Sequence, residues 1–145
     1  MRVEDVAQAV EIAASLPEAP HWPADVYARA LSPEAVPRRI ALVAEAPEAR
    51  LAGFLMTVLI PPLAELESIG VAKGAQRQGV GGQLLTKLFE ILGDQRMTEV
   101  MLEVRESNHA ARAFYRSLGF GETGRRFEYY AEPKEDAILV SRSIL

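Results

Sequence analysis

Apolar residues recur at helical spacing in two places near the start of the chain. Over residues 6–14 they follow a helical period, with Asp5 able to cap the start and Pro17 ending the run. A second, short helix is predicted to open at Pro23 and to run to Leu31, because proline is favoured in the first turn of a helix.

Three strand-like segments follow, at residues 40–44, 51–60 and 63–71. A turn at residues 46–49 separates the first two, and the pair Pro61-Pro62 separates the second from the third. Each segment is too short for a membrane-spanning helix.

The second half alternates helices with strands. Residues 84–92 predict a strongly amphipathic helix with Gly93 as its C-cap, and residues 99–105 predict a strand. A helix capped by Ser107 or Asn108 then runs to Gly119. Two last strands, at residues 125–131 and 137–145, are joined by a polar turn with Pro133.

This order of elements predicts an α/β (α+β) domain around a mixed sheet. The unit from residue 63 to residue 105 should form a right-handed parallel crossover, because a strand, a helix and a second strand follow one another there.

Composition narrows the classes of function. A chain of 145 residues suits one domain, here residues 1–145, and it contains no cysteine and two histidines, which argues against disulfides, thiolate chemistry and a metal site. The net charge of −4 disfavours nucleic acid as a partner, and no segment resembles a membrane span or secretion signal, so a cytoplasmic protein is expected. Residues 73–126 differ from the rest of the chain in having a net positive charge, with nine Lys/Arg against six Asp/Glu.

The basic part of the chain contains a glycine-rich segment between a strand and a helix. Residues 76–82 read Gln-Arg-Gln-Gly-Val-Gly-Gly. Glycines let the backbone N–H groups approach a ligand, and the helix N-terminus favours negative charge, so a phosphate or pyrophosphate cradle is predicted. The segment matches neither a P-loop nor the dinucleotide fingerprint. A plain glycine-rich turn is the structural alternative.

This pattern resembles the Gln/Arg-x-x-Gly-x-Gly/Ala signature of the GNAT N-acetyltransferase superfamily. Residues 67–71 lie where that superfamily places its cofactor-contacting strand. Downstream blocks at residues 102–108, 113–120, 125–130 and 135–137 are similar to its RimI-type branch, which acetylates the N-terminal alanine of a ribosomal protein. The resemblance covers roughly residues 40–145. It implies the GNAT fold, a mixed and mostly antiparallel sheet with flanking helices, and acetyl-CoA as co-substrate with no metal.

The resemblance also implies roles for single residues. Glu103 would be the base that takes a proton from the amine, with Glu67 as the alternative base, and Tyr115 would give a proton to the departing thiolate. The cofactor-binding residues would be Ile69, Gly70, Val71, Gln76, Arg77, Gln78, Gly79, Val80, Gly81, Gly82, Asn108 and Tyr115. Glu67, Tyr129 and Tyr130 would bind the acceptor.

Each assignment has a structural alternative. Glu103 could be a solvated or ion-paired strand residue, Tyr115 a core residue, and Asn108 a plain helix cap. Tyr129 and Tyr130 could belong to an ordinary hairpin.

The sequence departs from the family pattern in two ways. Only Met1 to Val3 precede the first helix, so the family's first strand is predicted to be missing or vestigial, which would weaken the sheet edge or invite pairing with a partner. Phe127 and Glu128 interrupt the tail, and Ser68-Ile69-Gly70 differs from the family's usual strand residues, so the acceptor specificity stays open.

Three hypotheses of function follow. The first is acetyl transfer from acetyl-CoA to a protein N-terminus, such as that of a ribosomal protein. The second is acetylation of a small amine, and the third is a non-catalytic CoA-binding regulatory module. A monomer or homodimer that binds neither nucleic acid nor membrane is expected. Without a cysteine, an acetyl group would pass directly from CoA to the amine.

Overall fold

A six-stranded sheet in the order β1-β2-β3-β4-β6-β5 forms the centre of the computed structural model, which describes residues 1–144. All neighbouring strands are antiparallel except β3 and β4, which are parallel. The strands are β1 (Arg39–Ala46), β2 (Arg50–Ile60), β3 (Leu63–Val71), β4 (Glu99–Arg105), β5 (Gly121–Ala131) and β6 (Lys134–Ser143).

Four helices cover the two faces of this sheet. They are α1 (Val6–Ala14), α2 (Ala24–Ala30), α3 (Val80–Asp94) and α4 (His109–Ser117). Short 3-10 turns precede α1, at Val3–Asp5, and α3, at Lys73–Ala75. No helix among residues 1–144 is both long enough and apolar enough to cross a lipid bilayer.

Strand β2 is buried on both faces, because helices lie on each side of it. Leu55 and Leu59 belong to one buried cluster with the apolar face of α3, which includes Leu85. Phe54 and Met56 point to the other face and belong to a second cluster with α1 and α2. A strand buried on both faces reads as a continuous apolar run, as residues 51–60 do.

The fold confirms the predicted α/β class and the parallel pairing of the strands on either side of α3. It also fits the prediction of a missing or vestigial first strand, because none of the described residues before α1 forms a strand. The Met1 ammonium donates a hydrogen bond of 2.9 Å to the carbonyl oxygen of Ala41 on the edge strand β1.

Two predicted helix caps are wrong. Gly93 lies inside α3, which continues to Asp94, and the left-handed backbone just beyond the helix is taken by Arg96, with φ of 61°. Asp5 stands at the start of α1, but its carboxylate accepts the backbone N–H of Arg2 at 2.8 Å. It therefore closes the preceding 3-10 turn instead of capping α1.

Candidate active site

A cleft opens where β3 and β4 separate. The two strands pair over only three positions, Leu63 to Glu65 on β3 with Glu99 to Met101 on β4. Beyond Glu65 no pairing joins them, although β3 continues to Val71 and β4 to Arg105. The resulting cleft has a volume of about 940 Å³. Both strands, the N-terminal ends of α3 and α4, and the tyrosines of β5 line it.

A bulge in β3 sets the direction of the side chains in this region. Met56 of β2 pairs with Ser68, whereas the next residue, Thr57, pairs with Leu66, so Glu67 is an extra residue without a partner on β2. Bulges re-aim side chains and occur often beside active sites.

The glycine-rich segment forms one wall of the cleft, at the start of α3. Gly79 precedes the helix with φ of 81°, a left-handed conformation that favours glycine. The N–H groups of the first helical turn have no acceptor within the helix. A Cβ added at Gly79 or Gly82 would meet nothing within 4 Å, so the backbone is open to the cleft there. At Gly81 an added Cβ would lie 3.1 Å from the Phe114 ring.

The neighbouring polar side chains divide between the cleft and its surroundings. Gln76 and Arg77 line the cleft, and the Gln76 side-chain amide donates to the carbonyl oxygen of Val71 at 3.2 Å. Gln78 does not line the cleft: it is exposed, and its amide lies 3.4 Å from the carbonyl oxygen of Gly74.

These features suit a phosphate or pyrophosphate group. The left-handed glycine, the unpaired N–H groups and the exposed Arg77 together offer donors and positive charge to an anion at one end of the cleft.

Helix α4 provides the opposite wall. The Asn108 side-chain oxygen accepts the backbone N–H of Ala111 at 3.1 Å, so Asn108 caps the helix while also lining the cleft. About two turns beyond Asn108, Tyr115 is only 6% exposed and packs against Phe114 and Phe120. Burial raises the pKa of Tyr115, so its hydroxyl keeps its proton over the physiological range and has one to donate.

The other end of the cleft is rich in carboxylates that meet arginines from distant strands. The Glu103 Oε1 atom lies 2.9 Å from Nε of Arg126 on β5. The pKa of Tyr129 is raised, chiefly by its hydrogen bond to the Glu103 carboxylate. Glu103 therefore has two partners supplied by β5.

Glu67 is also paired. Its carboxylate meets the Arg39 guanidinium in a two-pronged contact, with N–O distances of 2.8 and 3.3 Å. The hydrogen bond to Glu67 raises the pKa of Arg39. Such planar pairs are geometrically rigid, so Glu67 is held toward β1.

A third guanidinium fixes the tyrosine wall. Arg105 stacks on the Tyr130 ring, with its central carbon 4.1 Å from the ring centroid, and lies 3.2 Å from the Glu135 carboxylate. Tyr130 is thus held at the rim by a cation–π contact.

The structure brings nearly all of the residues singled out in the sequence to this one cleft. Only Gln78 lies outside its lining; the others are Glu67, Ile69, Gly70, Val71, Gln76, Arg77, Gly79, Val80, Gly81, Gly82, Glu103, Asn108, Tyr115, Tyr129 and Tyr130.

Sequence reasoning missed Glu65 and Phe114, which also line the cleft. Glu65 stands two residues before Glu67 in a strand, and residues with this spacing share a face in a regular strand. That alternation was the signal that could have drawn attention to Glu65.

Comparison with known proteins identifies related folds and sequences. The family model described as "Acetyltransferase (GNAT) family" matches residues 6–120. The [ribosomal protein bS18]-alanine N-acetyltransferase of Salmonella typhimurium is 41% identical over 97 residues, which is 66% of each chain. The match thus spans slightly less than two thirds of that relative.

Two further comparisons extend over nearly the whole chain. A putative [ribosomal protein bS18]-alanine N-acetyltransferase of Bacillus subtilis is 30% identical over 140 residues, covering 97% of this chain and 90% of the relative. The crystal structure of the ribosomal-protein-S18-alanine N-acetyltransferase from Escherichia coli superposes with a TM-score of 0.86 at 32% identity. That superposition covers 99% of this chain and 90% of the other.

Proposed function

Because the chain belongs to the acetyltransferase (GNAT) family, we propose that it moves the acetyl group of acetyl-CoA directly to an α-amino group. The favoured acceptor is the N-terminus of a protein such as ribosomal protein bS18. The observation that carries the proposal is the cleft between β3 and β4, which is lined by the glycine-rich start of α3 with Arg77 at one end and by carboxylates at the other. The proposal treats residues 1–145 as one catalytic domain.

The acceptor class is supported by the relatives. Proteins named for acetylating the N-terminal alanine of bS18 match this chain at 30–41% identity, one of them over 97% of it. The carboxylates in the cleft suit a positively charged amine, which is the form that a peptide α-amino group mostly has at neutral pH.

Acetyl-CoA supplies an acetyl group activated as a thioester. In the proposed reaction the first turn of α3, with Gly79 and Gly82, holds the pyrophosphate, and Asn108 lines the path of the pantetheine arm. The Glu103 carboxylate takes a proton from the amine, and the Tyr115 hydroxyl donates one to the departing sulfur. No described residue accepts a hydrogen bond from that hydroxyl, which leaves it available to donate.

The experiment is an assay of free CoA thiol released with acetyl-CoA and a peptide that begins with the N-terminal sequence of bS18. We expect the wild-type protein to turn over this peptide but not the same peptide with an acetylated N-terminus. Glu103→Gln and Tyr115→Phe should each lower kcat by about 10²-fold or more, the lower range for one acid–base group. Both variants should keep wild-type affinity for acetyl-CoA by calorimetry.

The remaining hypotheses are outcomes of the same assay. Turnover of polyamines or amino-acid derivatives but of no peptide would identify a small-amine acetyltransferase. Binding of acetyl-CoA without turnover of any amine would identify a regulatory module. Wild-type kcat in both variants would refute the roles given to Glu103 and Tyr115.

A further inference from the structure

A second cavity, of about 430 Å³, lies between the end of α2 and the start of β1. The segment that joins these two elements supplies Ser32 and Arg38 to its lining, and β1 supplies Arg39. The cavity shares no lining residue with the cleft between β3 and β4. None of the described residues that line it carries a carboxylate, so its charged side chains are the two guanidinium groups.

Arg39 borders this cavity while it also holds Glu67 of the cleft. Its Nε and Nη2 atoms contact the Glu67 carboxylate at 2.8 and 3.3 Å. The hydrogens on Nη1 find no acceptor among the described residues. Since the guanidinium is planar, these remaining donors lie on a different edge from the one that meets Glu67. Arg39 can therefore bind an anion without releasing Glu67.

Arg38 and Ser32 supply further donors to the same space. Arg38 is exposed, and no described residue pairs with its guanidinium. The Ser32 Oγ atom accepts the backbone N–H of Glu34 at 3.3 Å, so its own hydrogen remains to be donated. Two guanidinium groups beside one space repel each other, and an anion between them replaces that repulsion with attraction.

The end of α2 works against an anion in this cavity. Its last residues also line the space, and the C-terminal end of a helix carries a partial negative charge. The attraction must therefore come from Arg38 and Arg39, which makes their removal a sharp test.

A phosphate group matches this set of donors. Guanidinium edges bind the oxygens of phosphate with paired hydrogen bonds, and phosphate presents oxygens on several sides. Arg38, Arg39 and Ser32 can thus each meet a different oxygen. The cavity volume lies within the range of about 300–1,000 Å³ that is usual for small-molecule sites, so a phosphate ester has room as well as the free ion.

We propose that this cavity is a second anion site, which binds a phosphate group between Arg38 and Arg39 and acts on the cleft through Arg39. The bound phosphate shares the Arg39 guanidinium with Glu67, so less positive charge offsets that carboxylate. The acceptor end of the cleft becomes more negative and attracts an ammonium group more strongly. Only this effect on the acceptor rests on the proposed function; the phosphate site does not.

The test is a calorimetric titration of inorganic phosphate into the protein, with CoA at saturation so that the proposed cradle at α3 is filled. We expect the wild type to bind phosphate at a single site. Arg38→Gln should weaken this binding about tenfold or more, because it removes a charged hydrogen-bond donor. Arg50→Gln is the matched control and should keep the wild-type affinity, since Arg50 is exposed, lies outside both cavities and has no described partner.

Three results would overturn the site. They are wild-type affinity in Arg38→Gln, equal losses in Arg38→Gln and Arg50→Gln, and a loss in Arg77→Gln alone, which would place the phosphate at the start of α3. Two other ligands define the chemistry. Tighter binding of glycerol phosphate than of inorganic phosphate would identify an ester as the preferred source of the group. Acetate that binds as tightly as phosphate at constant ionic strength would overturn the assignment to phosphate.

The link to the cleft is measured with the bS18 N-terminal peptide, titrated into the CoA-bound protein with and without phosphate. Phosphate should tighten peptide binding about twofold or more in the wild type but not in Arg38→Gln. An unchanged affinity in the wild type would overturn the role of Arg39 as the link. If phosphate binds but no peptide does, the proposed function fails while the phosphate site stands.

Discussion

At the scale of single residues, the three acidic side chains of the cleft differ in their partners. Glu67 and Glu103 each meet a guanidinium group, and Glu65 meets none. A paired carboxylate is stabilised in its charged form, whereas a buried and unpaired one is destabilised in that form. The charged form therefore costs more free energy at Glu65 than at Glu67 or Glu103, although all three are glutamates of one cleft.

The charge of Glu65 should lower the stability of the folded protein at neutral pH. Its pKa is raised in the folded state, so its charged form is disfavoured by folding. Glu65→Gln should therefore raise Tm at pH 7. In the wild-type protein this penalty disappears as the pH falls through the raised pKa of Glu65 and the carboxylate becomes neutral. The difference in Tm between the two proteins should therefore vanish near pH 4. Thermal unfolding followed by circular dichroism from pH 4 to pH 8 measures this.

The matched control is Glu99→Gln, which removes another half-buried strand carboxylate, outside the cleft. An equal gain in both variants would mean that loss of any strand carboxylate stabilises the protein. In that case the unpaired state of Glu65 would not be the cause.

At the scale of elements, the close approach of β2 and β3 fixes the start of the cleft. Gly53 lies opposite Val71, at the end of β3 that faces the cleft. A Cβ added at Gly53 would lie 2.8 Å from the carbonyl oxygen of Gly70 and 3.1 Å from the side chain of Val80. The first of these atoms belongs to the backbone and cannot rotate away.

Gly53→Ala should therefore destabilise the protein by about 1–3 kcal/mol, the range for overpacking in a buried site. For a domain of this size, at about 2–4 °C per kcal/mol, that corresponds to a fall in Tm of roughly 2–12 °C. Gly74→Ala is the matched control, because an added Cβ there meets nothing within 4 Å and the backbone is not left-handed. Equal melting temperatures for the two variants would show that β3 can shift away from β2.

At the scale of the whole molecule, two helical layers on one sheet make the cleft possible. Helices α3 and α4 cover one face and α1 and α2 the other, and β2 is buried between them. β3 and β4 stay paired at residues 63–65 and 99–101, where the core is packed. The two strands can therefore separate beyond Glu65 and open the cleft without disrupting that core.

The core on the α3 face should therefore dominate the global stability. Leu85 is fully buried in that cluster. Leu85→Ala should cost about 2–5 kcal/mol, because the packed surroundings relax only partly around the cavity. This is a large share of the roughly 5–15 kcal/mol that stabilises a typical domain.

Urea unfolding measures the effect of Leu85→Ala. Val36→Ala, at a position that is 93% exposed, should change the free energy of unfolding by less than about 0.5 kcal/mol. A small effect of Leu85→Ala would indicate that the α3 layer can repack around the cavity.

The sequence by itself determined the features that depend on near neighbours along the chain. Hydrophobic periodicity predicted α3 and β4, and the glycine-rich segment predicted the tight turn before α3, where Gly79 is left-handed, because turn chemistry and helix starts are local properties. The predicted end of α3, at residue 92 with Gly93 as the cap, was two residues short of Asp94. A glycine near the end of a helical run can be either the cap or a helical residue, and the local sequence did not distinguish the two.

The tertiary structure alone decided which carboxylate has a partner. Arg39 and Glu67 lie 28 residues apart in the sequence and meet only because β1, β2 and β3 lie side by side. Arg126 reaches Glu103 across β6 for the same reason. Charge pairing between distant strands depends on strand order and register, which no local pattern encodes, so the lone charge of Glu65 becomes visible only in the folded chain.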